Sequence, residues 1–179
     1  MTRPKITAAL RTRLKRVKLF LCDVDGVLTD SSIFIGLERE FKRFHIRDGL
    51  GLIMLRREGI RVGWVSNRFS AATTLRADEL KIDFLEQVDG SKVDAVQNIL
   101  AKTGHKWDEI CYLGDDVVDL GVLKRAGVAV AVGDAIAEAR AAAHYVTRAN
   151  GGQGAVREAV ELILKAQNRW KKIVAKHSA

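Results

Sequence analysis

The chain has 179 residues, of which 47% are hydrophobic and 29% charged, and its formal net charge is +8. That length suits one domain with a buried core, and the hydrophobic fraction is that of an ordinary globular protein. No apolar run approaches the roughly 20 residues of a membrane helix. Asp23 and Asp25 interrupt the apolar stretch that follows the basic start, which excludes a signal h-region. A cytoplasmic protein with no membrane partner is expected.

The positive charge is uneven. Residues 1–19 carry seven Lys/Arg and residues 165–179 carry five, with no acid in either segment. Residues 20–164 hold 18 basic residues against 22 acidic ones. The basicity therefore belongs to the two ends, which are read as solvated helix ends. Such ends also suit nucleic acid, but the N-terminal one is poor in stacking aromatics, which argues against that partner. Cys22 and Cys111 lack metal-ligand spacing and sit in apolar segments, so both are expected as buried free thiols.

In chain order, Ile6, Leu10, Leu14 and Val17 recur at helical spacing and predict a cationic first helix. Val17–Asp23 is the first predicted strand. Residues 33–36 and 40–44 predict a hairpin flap. A helix is predicted from Asp48, as its acidic cap, to Arg57, with Gly59 closing it. Then follow a strand over 61–66, a helix over 70–80, a short strand over 83–87 and a helix over 91–102. A strand over 109–114, a helix over 117–125 and a strand over 128–132 come next. Helices over 135–142 and 155–167 complete the pattern, separated by Gly151-Gly152-Gln153-Gly154. The glycine-rich stretch suits a flexible lid, with a helix-entry loop as the plainer alternative.

With one proline, no linker and no repeat, residues 1–179 are read as a single domain. Strands alternating with helices predict the α/β class: a single Rossmann-like parallel sheet with helices on both faces and a hairpin flap. Asp30 to Asp48 leaves room only for that hairpin, and Ser66 to Lys92 only for a helix and a strand, so no cap domain is expected.

The chemistry-bearing residues fall just past predicted strands. They are Asp23 and Asp25, Ser66-Asn67-Arg68, Lys92, and Asp115 with Asp116. In a parallel sheet those strand ends share one edge. Carboxylates gathered there repel one another, so a divalent cation is expected, and all-oxygen ligands favour Mg²⁺ over Zn²⁺. A lysine and a hydroxyl beside the cation make an anion site suited to a phosphoryl group. Singly, each residue has a plainer role: a helix cap for Asp115, Asp116 or Ser66, and a solvated first-turn position for Lys92.

The run Asp23-Val24-Asp25-Gly26-Val27-Leu28-Thr29-Asp30, followed by Ser66, Lys92 and Gly114-Asp115-Asp116-Val117-Val118-Asp119, resembles the four motifs of the haloacid dehalogenase-like phosphatases. More narrowly, Phe44-His45-Ile46-Arg47-Asp48-Gly49, Tyr145-Val146-Thr147-Arg148 and residues 151–158 resemble the 3-deoxy-D-manno-octulosonate 8-phosphate phosphatases. That resemblance implies Asp23 as nucleophile, Asp25 as acid and base, and Ser66 and Lys92 on the phosphoryl oxygens. It implies Mg²⁺ held by Asp23, the Asp25 carbonyl and Asp115, with Asp116 and Asp119 in the outer shell.

The implied substrate contacts are Asp25, His45, Ile46, Arg47, Asp48, Gly49, Arg68, Arg76 and Lys92. For Arg76 a solvent-facing helix position is the plainer alternative. His45 and Ile53 stand where the family often carries Asn and Arg, which leaves the identity of the sugar acid open. The resemblance further implies a homotetramer whose neighbouring flap and C-terminal segment cover the site. The reaction expected is phosphate release from an eight-carbon sugar-acid phosphate, on the route to an outer-surface polysaccharide such as lipopolysaccharide. A nine-carbon sialic-acid-type 9-phosphate, a polynucleotide end, and a phosphate-sensing module without turnover are the alternatives.

Overall fold

The structure, a computed structural model, describes residues 6–178; the basic residues Arg3 and Lys5 lie outside the described residues. Helix α1 (Ala8–Lys15) leads into strand β1 (Leu19–Cys22), and a hairpin of β2 (Phe34–Ile35) and β3 (Glu40–Phe41) follows. Next come α2 (Ile46–Arg57), β4 (Arg61–Ser66), α3 (Ala71–Leu80) and β5 (Phe84–Gln87). Helix α4 (Lys92–Thr103), β6 (Ile110–Gly114), α5 (Leu120–Leu123) and β7 (Val128–Ala131) continue the alternation. The chain closes with α6 (Ala137–Ala142), β8 (Tyr145–Val146), α7 (Ala155–Ala166) and α8 (Trp170–Lys176).

Six strands form one parallel sheet in the order β5–β4–β1–β6–β7–β8. All four β1 side chains are buried, because helices cover both faces of the sheet. Helices α1, α2 and α7 pack together on one face, while α4, α5 and α6 pack in series on the other. Helix α7 shows why: Val156, Ala159, Val160, Ile163 and Leu164 recur at helical spacing and are all buried. Each of the Val, Ile and Leu side chains contributes roughly 1.5–3 kcal/mol on burial. Cys22 and Cys111 are buried free thiols in this core. No cap domain interrupts the described residues, and none of their helices is long and apolar enough to cross a membrane.

Several elements depart from the sequence pattern. The helix expected from Asp48 starts at Ile46, and Asp48 lies buried inside its first turn rather than capping it. Its Oδ1 instead accepts the Arg157 N–H at 2.7 Å, so it caps α7, whose own N-cap is Gly154. Ser66 is not a helix cap either; Ser70 caps α3, accepting the Thr73 N–H.

The helix expected over 117–125 is a 3-10 turn at Val117–Asp119 followed by the four-residue α5. Asp116 and Asp119 box that turn, and their side-chain bonds tighten its start. Strand β8 was too short to leave a periodic signal. The C-terminal end is not merely solvated: Ile173 of α8 is buried, and Trp170 packs beneath Arg157 and Lys165.

The glycine-rich stretch is a packed buttress, not a lid. Gly152 N–H donates to the Val27 carbonyl at 2.9 Å, and both Gly151 and Gly152 are buried. A Cβ on Gly151 would lie 1.8 Å from the Gly26 carbonyl oxygen. Only glycine lets two backbones approach that closely.

Candidate active site

The chain leaves β1 toward β4 and later crosses back to place β6 on β1's other side. This reversal opens a crevice at the carboxyl ends of β1 and β6, where open α/β sheets place ligands. Asp23 follows β1 and Asp115 follows β6, so their carboxylates flank the crevice. The Asp23 N–H still bonds the Leu113 carbonyl, and Gly26 at φ +88° then turns the chain sharply. The N–H groups of Val27, Leu28 and Thr29 all converge on the Val24 carbonyl, which fixes the loop after Asp23.

Lys92 is buried at the centre. Its Nζ lies 2.8 Å from Asp23 Oδ2 and 2.7 Å from Asp119 Oδ1. Burial pulls this ammonium down, but the two carboxylates outweigh it and hold its pKa above the ordinary value. Asp119 Oδ1 also accepts the Tyr112 hydroxyl at 2.6 Å, and its Oδ2 accepts the N–H groups of Asp115 and Asp116. Those four bonds occupy its acceptor sites, which suits a positioning role rather than direct metal ligation. Gly114 is required here, since a Cβ would lie 2.6 Å from the Asp119 carboxyl carbon. Asp116 is exposed and caps the 3-10 turn through the Val117 N–H.

Oxygens of Asp23, Asp115 and Asp119 lie within 4.8 Å of one another. One ammonium does not balance three carboxylates. Burial and the charges of Asp23 and Asp119 push Asp115 up to about 8. Burial, with Asp119 adding to it and Lys92 opposing, raises Asp23 to about 7. Asp115 Oδ1 is buried with no hydrogen-bond partner. A hard divalent cation answers both the excess charge and the unpartnered oxygen, and the all-oxygen donor set suits Mg²⁺.

Around this centre a cavity of about 310 Å³ is lined by Asp23, Asp25, Ser31, Ser66, Asn67, Arg68, Lys92, Asp115, Asp116 and Val118. The structure thus brings together every residue expected at the four strand ends. Ser66 Oγ accepts the Arg68 N–H at 3.1 Å, and Asn67 ties this loop to the Val88 and Gly90 carbonyls.

The remaining expected contacts stand apart from the cavity. Ile46 and Arg47 are exposed, and Asp48 and Gly49 are buried under α7 and α3. His45 Nδ1 lies 3.8 Å from Asp48 Oδ2. Arg76 pairs with Glu79 at 2.6 Å and lies over the Phe44 ring, so it is not simply solvent-facing. Ile53 packs against the core.

Sequence reasoning missed Glu40, Lys42 and Thr73. Lys42 Nζ sits 2.8 Å from one Asp25 oxygen, and Glu40 bonds both Arg68 and Ser70. Glu40 is held below the usual carboxylate range by those bonds, the one from Arg68 foremost. Their signal was the alternation Glu40-Phe41-Lys42, two charges on one side of a strand and an aromatic on the other.

A doubly wound sheet with a carboxylate crevice and a buried lysine at its switch point defines a phosphoryl-transfer hydrolase of the haloacid dehalogenase-like class. The family model for haloacid dehalogenase-like hydrolases matches residues 65–160. The chain is 39% identical over 158 residues to the 3-deoxy-D-manno-octulosonate 8-phosphate phosphatase of Yersinia pestis, covering 88% of this chain and 84% of that one. The Moraxella catarrhalis phosphatase of the same name, solved with magnesium, phosphate and the sugar acid, superposes with a TM-score of 0.91. That pair shares 39% identity, with 93% of this chain and 97% of the other covered. The cobalt-bound Haemophilus influenzae enzyme gives a TM-score of 0.84 at 36% identity, covering 87% and 92% of the two chains. The chain belongs to the 3-deoxy-D-manno-octulosonate 8-phosphate phosphatase family.

Proposed function

We propose that this protein is a Mg²⁺-dependent phosphomonoesterase that releases inorganic phosphate from 3-deoxy-D-manno-octulosonate 8-phosphate. The observation that carries this reading is the cluster of Asp23, Asp115 and Lys92 in one crevice, in a chain so similar to a phosphatase that binds that sugar acid. Asp23 and Asp115, with the Asp25 carbonyl, would hold the metal, and Asp116 and Asp119 would support it from outside. When bound, Mg²⁺ supplies positive charge that offsets the repulsion between the carboxylates and an incoming phosphate dianion.

Asp23 attacks phosphorus, the bond to the sugar oxygen breaks, and Asp25 protonates that leaving oxygen. The carboxylate of Asp25 then takes a proton from water as the water attacks the aspartyl phosphate, which frees phosphate and restores Asp23. Lys92 spends two N–H groups on Asp23 and Asp119 and keeps a third for a phosphoryl oxygen. The Ser66 hydroxyl and Lys92 stabilise the charge that builds on that group in the transition state. Arg68, the one expected arginine that lines the cavity, suits the sugar carboxylate.

His45, Ile46, Arg47 and Arg76 then serve the substrate from elsewhere, as the edge of a site shared between subunits, whereas the buried Asp48 and Gly49 hold α2 against α7 and α3 rather than touching substrate. Phe34, Ile35, Leu37 and Phe41 leave an apolar flap surface exposed, which supports self-association, read here as a homotetramer. The test is phosphate release by purified protein with Mg²⁺ across a panel of sugar phosphates. The eight-carbon ester should be preferred by its kcat/KM. Preference for a nine-carbon ester, or turnover of aryl phosphates alone, overturns the assignment.

A further inference from the structure

Lys42 belongs to none of the roles above, yet its side chain is fully buried against the acid/base position. It lies just past the flap strand β3, and the strand alternation turns Glu40 and Lys42 inward and Phe41 outward. Its Nζ is 2.8 Å from one oxygen of Asp25, 2.9 Å from the other and 3.0 Å from Thr73 Oγ1. Nζ donates to Asp25 Oδ2 and to Thr73 Oγ1, its approach to the other Asp25 oxygen is an ion pair, and the side chain is 0% exposed. Buried and absent from the cavity lining, Lys42 does not face a phosphate there. Asp25, by contrast, keeps about a quarter of its side chain exposed, on the cavity side.

We propose that Lys42 is a positioning residue. It aims the Asp25 carboxylate at the leaving oxygen, and it ties proton transfer to a seated flap. Thr73, on α3 and buried, fixes where Nζ sits. Glu40 provides the second anchor through Arg68 and Ser70, so the flap docks through two charged residues, one on Asp25 and one on Arg68, both of which line the cavity. A flap that lifts takes Lys42 with it and leaves Asp25 free to rotate. The acid/base group is then aligned only when the flap is seated. This inference rests on the reading of Asp25 as the group that protonates the leaving oxygen.

The measurement that separates positioning from general damage is the dependence on leaving group. An alkyl ester needs the proton from Asp25, whereas p-nitrophenolate departs without one. kcat/KM is measured for Lys42→Met on 3-deoxy-D-manno-octulosonate 8-phosphate and on p-nitrophenyl phosphate, because it reports the first transfer step. The alkyl ester should lose about tenfold or more beyond the loss on the aryl ester, and Lys42→Arg should recover part of the difference. Equal losses on the two esters, or no loss on the alkyl ester, overturn the proposal.

Should Lys42→Met lack a melting transition, Thr73→Val carries the same comparison, since it frees Nζ without changing charge. A wild type inactive on the eight-carbon ester overturns the substrate reading alone, and the split is then read on whichever alkyl phosphate it hydrolyses. A wild type active on aryl esters only overturns both.

Discussion

The crevice and the flap are built on opposite principles. In the crevice every position is over-determined: Asp119 accepts four hydrogen bonds, Lys92 bridges two carboxylates, and the Asp23 loop is pinned to the Val24 carbonyl. The flap consists of two strands of two residues, with Phe34, Ile35 and Phe41 exposed. A lone hairpin of that size is marginal in water. Its inward contacts are the ones made by Glu40, Lys42 and their neighbours. In the proposed reading the chemistry is fixed by short-range geometry at strand ends, while selection is left to an element that needs support from outside itself.

Attacking the crevice should have the largest effect. Asp23→Asn should lower turnover by about 10⁴-fold or more while the fold persists. Because the change removes one of three crowded carboxylates, the metal-free variant should also melt higher than the metal-free parent. Retained turnover would show that Asp23 is not the nucleophile.

The buttress comes next. Gly151→Ala forces a Cβ onto the Gly26 carbonyl oxygen, which cannot move without shifting the Asp23–Asp25 loop. Stability should fall by about 3 kcal/mol, the upper end for overpacking, with activity falling in step; urea denaturation and a phosphate-release assay check both.

A smaller effect links metal to pH. Asp115 and Asp23 hold their protons in the metal-free fold up to about 8 and about 7, whereas unfolded aspartates release theirs near about 3.9. Across that window the native state carries more protons than the unfolded one, so metal-free stability falls as pH rises. Mg²⁺ replaces those protons. The rise in Tm on adding Mg²⁺ should therefore be greater at pH 8 than at pH 6, and an equal rise would place the metal elsewhere.

Smallest in its effect on folding is a change on the flap. Phe34→Ser with Phe41→Ser should shift stability by no more than about 0.5 kcal/mol, as is usual for exposed positions. Light scattering should nevertheless report a smaller assembly, and KM for the sugar-acid phosphate should rise while p-nitrophenyl phosphate turnover holds. An unchanged assembly would show that the flap faces solvent.

The same contrast explains what the sequence made legible. Apolar runs ending abruptly at Asp23 and Gly114 marked β1 and β6, and serines marked the starts of α3 and α4, because these signals are local. Asp48 was read as the cap of its own helix, since nothing nearby reveals that its partner is the Arg157 N–H. Lys42 and Asp25 are 17 residues apart with a hairpin between them, so their pairing exists only in the folded chain. Residues 151–154 looked flexible because glycine permits both freedom and close packing, and sequence does not say which one is used.

That close packing sets when the enzyme can begin to work. The loop after Asp23 takes its final shape against Gly151 and Gly152, more than a hundred residues downstream. A contact between such distant segments closes late, after the intervening strands and helices have found their places. During synthesis, a chain released only as far as β7 carries all four motifs and still lacks the wall that holds the loop after Asp23 in shape. Competence therefore waits on residues 151 and 152, and a copy cut before them is expected to keep the motifs and lose phosphate release.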